Sequence, residues 1–150
     1  MIADMSGGVG MDRLLLIEDD STLIRMLTEF LTAENFHVTS VTGQKVACEK
    51  LETLKPDLAL VDISLADGNG FAVCAQAKEL GVPVIFLTAS GDEYSVVTGL
   101  DMGADDYISK PFRPRELVSR IRNVLRRTGK RQSVICLGNL MIDTNKGTVA

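Results

Sequence analysis

Four short apolar runs in this chain each close on polar residues. Leu14–Ile17 ends at Glu18-Asp19-Asp20, Leu58–Val61 at Asp62, Val84–Leu87 at Thr88, and Tyr107–Ile108 at Ser109-Lys110-Pro111. Runs this short, alternating with segments of helical spacing, read as strands buried on both faces of a parallel sheet. In an open parallel sheet, ligands collect outside the carboxyl ends of the strands, where the winding order reverses. The pattern therefore brings carboxylates, a hydroxyl and an ammonium to one rim of one sheet.

The rest of the chain completes the alternation. The first strand is expected over Arg13–Glu18, followed by a helix capped by Asp20 or Ser21, with a stripe of Leu23, Leu27, Phe30 and Leu31. His37–Val41 reads as the second strand and Gln44–Leu54 as the second helix, stopped by Lys55-Pro56. Gly68-Asn69-Gly70 turns the chain into a third helix running to about Leu80, punctuated by Gly81 and Pro83. A fourth helix is expected from about Asp92 to Met102, a fifth strand over Asp105–Ser109, and a fifth helix over Pro114–Arg127. The fifth helix carries the stripe Leu117, Val118, Ile121, Val124 and Leu125. Five such units predict an α/β fold: a right-handed, doubly wound, flavodoxin-like parallel sheet in the order 2-1-3-4-5. That order sets strands one and three side by side, so that Glu18, Asp19 and Asp62 converge.

Length and composition suit one buried domain with some chain to spare: 150 residues, 45% hydrophobic and 24% charged. No apolar stretch approaches the length of a membrane helix. Residues 1–11 lack the basic and apolar segments of a secretion signal and read as a disordered leader. Cys48, Cys74 and Cys136 are widely spaced in apolar contexts and read as reduced packing residues, which suits the cytoplasm. After residues 129–133, a linker, the runs Val134–Leu137 and Leu140–Ile142 look like the start of a β-rich unit too short to bury a core, so the chain looks truncated. The net charge of −4 hides an asymmetry. Residues 1–109 carry 6 basic and 18 acidic side chains, whereas residues 110–131 carry 9 basic ones against Glu116 alone. A solvated helix face explains the distal arginines as well as a binding role does, and nothing in the pattern marks a recognition helix.

The rim residues carry the chemistry. Two ionised carboxylates about 5 Å apart repel by roughly 3 kcal/mol at an effective dielectric near 20, so several at one rim call for a counter-charge. Helix capping and turn duty explain Asp19, Asp20 and Asp62 singly, but not their meeting at neighbouring strand ends. A small hard cation such as magnesium takes a few carboxylate oxygens and pairs with phosphate. Lys110 adds a point charge and Thr88 a hydroxyl, as phosphoryl transfer requires. Asp62 is the best placed nucleophile, since an aspartate can carry a phosphoryl group covalently. His37, the only histidine, begins an edge strand and reads as a surface residue, and the methionines inside helices read as core filling.

The strings Leu14–Asp20, Leu60-Val61-Asp62, Leu87-Thr88-Ala89, Gly103-Ala104-Asp105-Asp106-Tyr107 and Lys110-Pro111-Phe112, in register over about residues 12–128, resemble bacterial response-regulator receiver domains. The resemblance implies that Asp62 accepts a phosphoryl group from a sensor histidine kinase. It also implies that Glu18, Asp19, Asp62 and the Ser64 backbone carbonyl hold Mg2+. Lys110, Thr88 and Ala89 would face the phosphoryl oxygens, Thr88 and Tyr107 would form the switch pair, and the bond before Pro111 would be cis. Such a domain is a switch rather than a dedicated enzyme.

Gly99-Leu100, Glu116-Leu117, Arg120-Ile121 and Leu125-Arg126-Arg127 narrow the likeness to OmpR/PhoB-like transcription factors, with residues 134–150 resembling the first strands of their winged-helix, DNA-binding effector. That subfamily implies a phosphorylation-driven homodimer through the fourth helix, fifth strand and fifth helix, with Asp101 facing Arg122 and Asp106 facing Arg120 across subunits. Val96 stands where many members place a base opposite Glu116, and Ala66 where many have proline. A flavin-binding flavodoxin shares the fold, but would need a hydroxyl- and glycine-rich phosphate loop where this chain has Glu18-Asp19-Asp20. A phosphatase would need a cap or larger core, and a receiver that has lost phosphorylation would lack some of the rim groups present here.

Overall fold

The structure is a computed structural model that describes residues 12–63, 69–89 and 92–128. The leader, the linker and the β-rich tail expected from the sequence lie outside the described residues, as does Ser64. Strands and helices alternate: β1 (Asp12–Ile17), α1 (Ser21–Ala33), β2 (Phe36–Val41), α2 (Gln44–Leu54), β3 (Leu58–Asp62), α3 (Gly70–Glu79), β4 (Val84–Thr88), α4 (Glu93–Asp101), β5 (Asp106–Ser109) and α5 (Pro114–Arg127). The strands form one parallel sheet in the order β2-β1-β3-β4-β5, which is the predicted doubly wound topology.

Alternation along the strands builds a core on each face, because successive side chains point to opposite sides. Leu14, Leu16, Leu58, Leu60, Ile85, Leu87 and Ile108 meet Leu27 and Leu31 of α1 and the stripe Leu117, Val118, Ile121, Val124 and Leu125 of α5. Leu15, Ile17, Ala59, Val61, Val84 and Phe86 meet Ala47 and Leu51 of α2 and Val73, Cys74 and Ala77 of α3 on the other face. With both faces covered, the strands read as continuous apolar runs rather than as alternating ones.

Local chemistry sets the helix ends. The Asp20 carboxylate accepts the N–H groups of Thr22 and Leu23 at 3.0 and 3.2 Å, capping α1. Asn69 Oδ1 accepts Phe71 N–H at 2.7 Å and caps α3. Asp92 Oδ1 accepts Ser95 N–H at 3.1 Å and caps α4. Gly81, at φ +75°, ends α3 in a left-handed conformation that suits glycine.

The helix α4 differs from the others in how it is seated. It rests on β4 through Gly99, where a Cβ would come within 2.5 Å of the Phe86 ring. That ring in turn packs edge-on to Phe71, with centroids 5.6 Å apart. Val97, Leu100 and Met102, in α4 and just after it, stay exposed.

Candidate functional site

Register puts the polar strand ends in one row. Ile17 pairs with Val61, Asp62 with Leu87, and Thr88 with Ser109. Glu18 therefore follows β1 beside Asp62, while Thr88 and Lys110 stand one and two strands further along the same rim. The N–H of Glu18 donates to the Val41 carbonyl at 3.1 Å, and that of Lys110 to the Thr88 carbonyl at 2.7 Å. The rim backbone is thus tied to neighbouring strands just where the side chains must be aimed. The Lys110–Pro111 peptide bond is cis.

Glu18, Asp19 and Asp62 each offer a carboxylate oxygen, and these oxygens all lie within 4.8 Å of one another. Glu18 and Asp62 are buried, whereas Asp19 is exposed. Asp20 turns away from this group to cap α1. Lys110 Nζ lies 3.0 Å from Glu18 Oε1 and 3.5 Å from Asp62 Oδ2. The other Glu18 oxygen, Oε2, accepts the Asp20 N–H at 3.1 Å.

Burial raises the Glu18 carboxyl above its ordinary 4.5, and the neighbouring Asp62 charge pushes the same way against the pull of Lys110. Burial also works against the Lys110 charge, but the Glu18 and Asp62 carboxylates outweigh it and hold the ammonium above its ordinary 10.5. Glu18 Oε1 takes no well-directed hydrogen bond, even though the ammonium is near. A buried carboxylate oxygen short of a donor, beside two further carboxylates, fits a small hard divalent cation of the magnesium class.

Thr88 is buried, and among the described residues its Oγ1 has long contacts, 3.5 Å to the Ile108 carbonyl and 3.4 Å to Ser109 Oγ. A hydroxyl held this loosely can turn at small cost. Ala89 follows it at the exposed rim, and Tyr107 is half-buried against the core cluster that includes Phe86. Glu18, Asp19, Asp62, Thr88, Ala89 and Lys110 thus all lie at one end of the sheet.

Comparison with known proteins decides what this arrangement belongs to. Residues 14–122 match the family model described as the response regulator receiver domain. The chain belongs to the response regulator receiver domain family. This receiver domain is 41% identical over 133 residues to the DNA-binding response regulator MtrA of Mycolicibacterium smegmatis, covering 87% of this chain and 58% of that one. It is 45% identical over 116 residues to MtrA of Mycobacterium tuberculosis, covering 77% and 51%. The chain thus spans little more than half the length of these relatives. Among solved structures it resembles the receiver domain of the response regulator TorR, at 33% identity and a TM-score of 0.74, covering 78% of this chain and 98% of that one. It also resembles a CheY-like receiver domain protein from Methanospirillum hungatei, at 30% identity and 0.76, covering 81% and 99%.

The residues expected at a subunit interface fall in two places. Asp106 and Arg120 pair within this chain at 3.0 and 3.1 Å, and Arg120 also reaches Glu116 at 3.2 Å. The other pair expected across subunits is Asp101 with Arg122, and within the single chain Arg122 has a different neighbour. Arg122 sits 3.2 Å from Glu34 with its guanidinium 5.8 Å from the Phe36 ring centre, beside the end of α1. Asp101 is exposed at the end of α4.

Sequence reasoning missed three features. Lys110 lies closer to Glu18 than to Asp62. Asp105 accepts the Val84 N–H at 2.9 Å and pairs with Lys78 at 3.3 Å, tying the start of β5 to α3 and β4. Gln44 accepts the Asn69 N–H at 2.9 Å, across 25 positions of sequence. Only the last left a trace, a polar residue opening α2 after Gly43, and it did not name its partner.

Proposed function

We propose that this receiver domain is a phosphorylation switch in which Asp62 accepts the phosphoryl group of a sensor histidine kinase. The observation that carries this reading is the convergence of the Glu18, Asp19 and Asp62 carboxylates on one point, with Lys110 within 3.5 Å of Asp62. Glu18, Asp19, Asp62 and the Ser64 carbonyl would hold Mg2+, which supplies charge neutralisation for phosphoryl oxygens. An Asp62 carboxylate oxygen attacks phosphorus in line, the bond from phosphorus to the donor nitrogen breaks, and the donor imidazole leaves with that electron pair. Lys110 stabilises the transferred oxygens as a fixed charge. Thr88, loosely held, turns toward them with the Ala89 N–H beside it, and Tyr107 moves with Thr88 as the second half of the switch.

The output follows from the subfamily likeness and from the names of the MtrA relatives. Phosphorylation favours a homodimer through α4, β5 and α5, with Asp106 facing Arg120 and Asp101 facing Arg122 across subunits, and it controls DNA binding by an effector domain. Such a protein acts in the cytoplasm as a regulated partner of a kinase rather than as a turnover enzyme. Among the described residues, no helix is long and apolar enough to cross a membrane.

Incubation with acetyl phosphate and MgCl2 should add one phosphoryl group by intact-mass measurement and roughly double the mass seen by light scattering, since the commonest oligomer is a two-fold dimer. Asp62→Asn should remove both effects. Equal labelling of the Asn variant would sink the assignment.

A further inference from the structure

The first turn of α3 approaches the end of β3 more closely than a side chain allows. Gly70, the first residue of α3, is buried, and a Cβ there would stand 2.6 Å from the Asp62 carbonyl oxygen, 2.8 Å from Ile63 Cα and 3.0 Å from the Ile63 carbonyl oxygen. All three are backbone atoms and cannot swing aside. Gly70 does not have a positive φ, so the requirement here is space and not backbone freedom. The junction is pinned on both sides. Ile63 N–H donates to the Leu87 carbonyl at 3.2 Å, and Gly70 N–H donates to the Ile63 carbonyl at 3.4 Å. The neighbouring Asn69 N–H is held by Gln44 Oε1 at 2.9 Å.

We propose that Gly70 is a positioning residue for Asp62, with Gln44 as the clamp beside it: the bare Cα lets α3 seat against the Asp62–Ile63 backbone and so aims the Asp62 carboxylate at Glu18, Asp19 and Lys110. The inference rests on the reading of Asp62 as phosphoacceptor. A methyl group must gain about 0.8 Å on the Asp62 carbonyl oxygen to reach ordinary contact, and a close-packed interior has no slack to absorb it. β3 is held between β1 and β4, and Val73, Cys74 and Ala77 hold α3 in the core, so the displacement falls on the strand end that carries Asp62. Metal ligation and in-line transfer tolerate only a few tenths of an ångström.

The test compares the 150-residue chain with Gly70→Ala and Gly81→Ala. Gly81 ends the same helix at φ +75° with nothing within 4 Å of a Cβ, so alanine there strains α3 without touching the site. The readouts are the acetyl phosphate labelling rate at saturating MgCl2, the MgCl2 concentration for half-maximal labelling, and the acetyl phosphate concentration for half-maximal rate. Gly70→Ala should lower the saturated rate and raise the Mg2+ requirement, each by about tenfold or more, with the donor requirement unchanged. Gly81→Ala should match the parent in all three. Should Gly70→Ala fail to fold, Gln44→Met decides, with a smaller rise in Mg2+ requirement expected, about threefold. If the parent chain itself is not labelled, the phosphoacceptor reading falls and this inference with it. If the parent is labelled but Gly70→Ala matches it, or Gly81→Ala loses as much, or Gln44→Met standing in behaves as the parent, the positioning role alone falls.

Discussion

Glu18 carries the electrostatic tension of the pocket. It is 1% exposed, faces a second buried carboxylate, and depends on Lys110 for compensation. Lys110 is itself about a third exposed, which weakens its pull through solvent screening. Lys110→Met should therefore cost about 1–2 kcal/mol in urea melts without divalent cation, less than for a fully buried pair, and MgCl2 should recover most of that loss. A loss that MgCl2 does not reduce would mean that the carboxylates do not form a cation site. The carboxylates, Thr88 and Lys110 were legible in the sequence because each falls within the first two polar residues after an apolar run, which places it at a strand end. Gly70 and Gln44 were not legible, since their roles come from approaches across 8 and 25 positions that no local pattern encodes.

The elements differ in how firmly the sequence bounds them. The helices α2 and α5 run as expected from the stop at Lys55-Pro56 and from Pro114 at the first turn. Strands β3 and β4 each take in one more residue than their apolar runs, because Asp62 and Thr88 remain in the ladder opposite Leu87 and Ser109. The α5 arginines show the limit of reading by spacing: charge alone did not reveal that Arg122 turns toward Glu34. The packing of α3 has a measurable pH signature. Burial pushes the Cys74 thiol up from 9.0 to about 11, with Lys78 opposing and Asp105 assisting. Across that window the unfolded chain gives up a proton that the folded helix keeps. This contribution to stability is therefore complete below 9 and is lost as pH rises toward 11, by about 2–3 kcal/mol at most. Thermal melts between about pH 8.5 and 10.5 should fall more steeply for the parent than for Cys74→Ala. Parallel slopes would show that the thiol does not titrate in this way.

At the scale of the whole molecule, the helices are unequally anchored. α1, α2, α3 and α5 each insert buried apolar side chains into one of the two cores, and α5 alone contributes Leu117, Val118, Ile121, Val124 and Leu125. Among its described side chains α4 contributes no buried apolar one, and it meets β4 at a bare Cα on Phe86. The cost of local opening follows the apolar contact that must be broken, so the helices need not open together. Backbone amides of α4 should exchange with deuterium sooner than those of α3 and α5, and equal protection would contradict this ranking. A lever needs a loose end as well as a fixed one. Here the fixed end is the strand row carrying Asp62 and Thr88, and the looser end is a short helix seated on an aromatic ring, with Val97 and Leu100 turned outward.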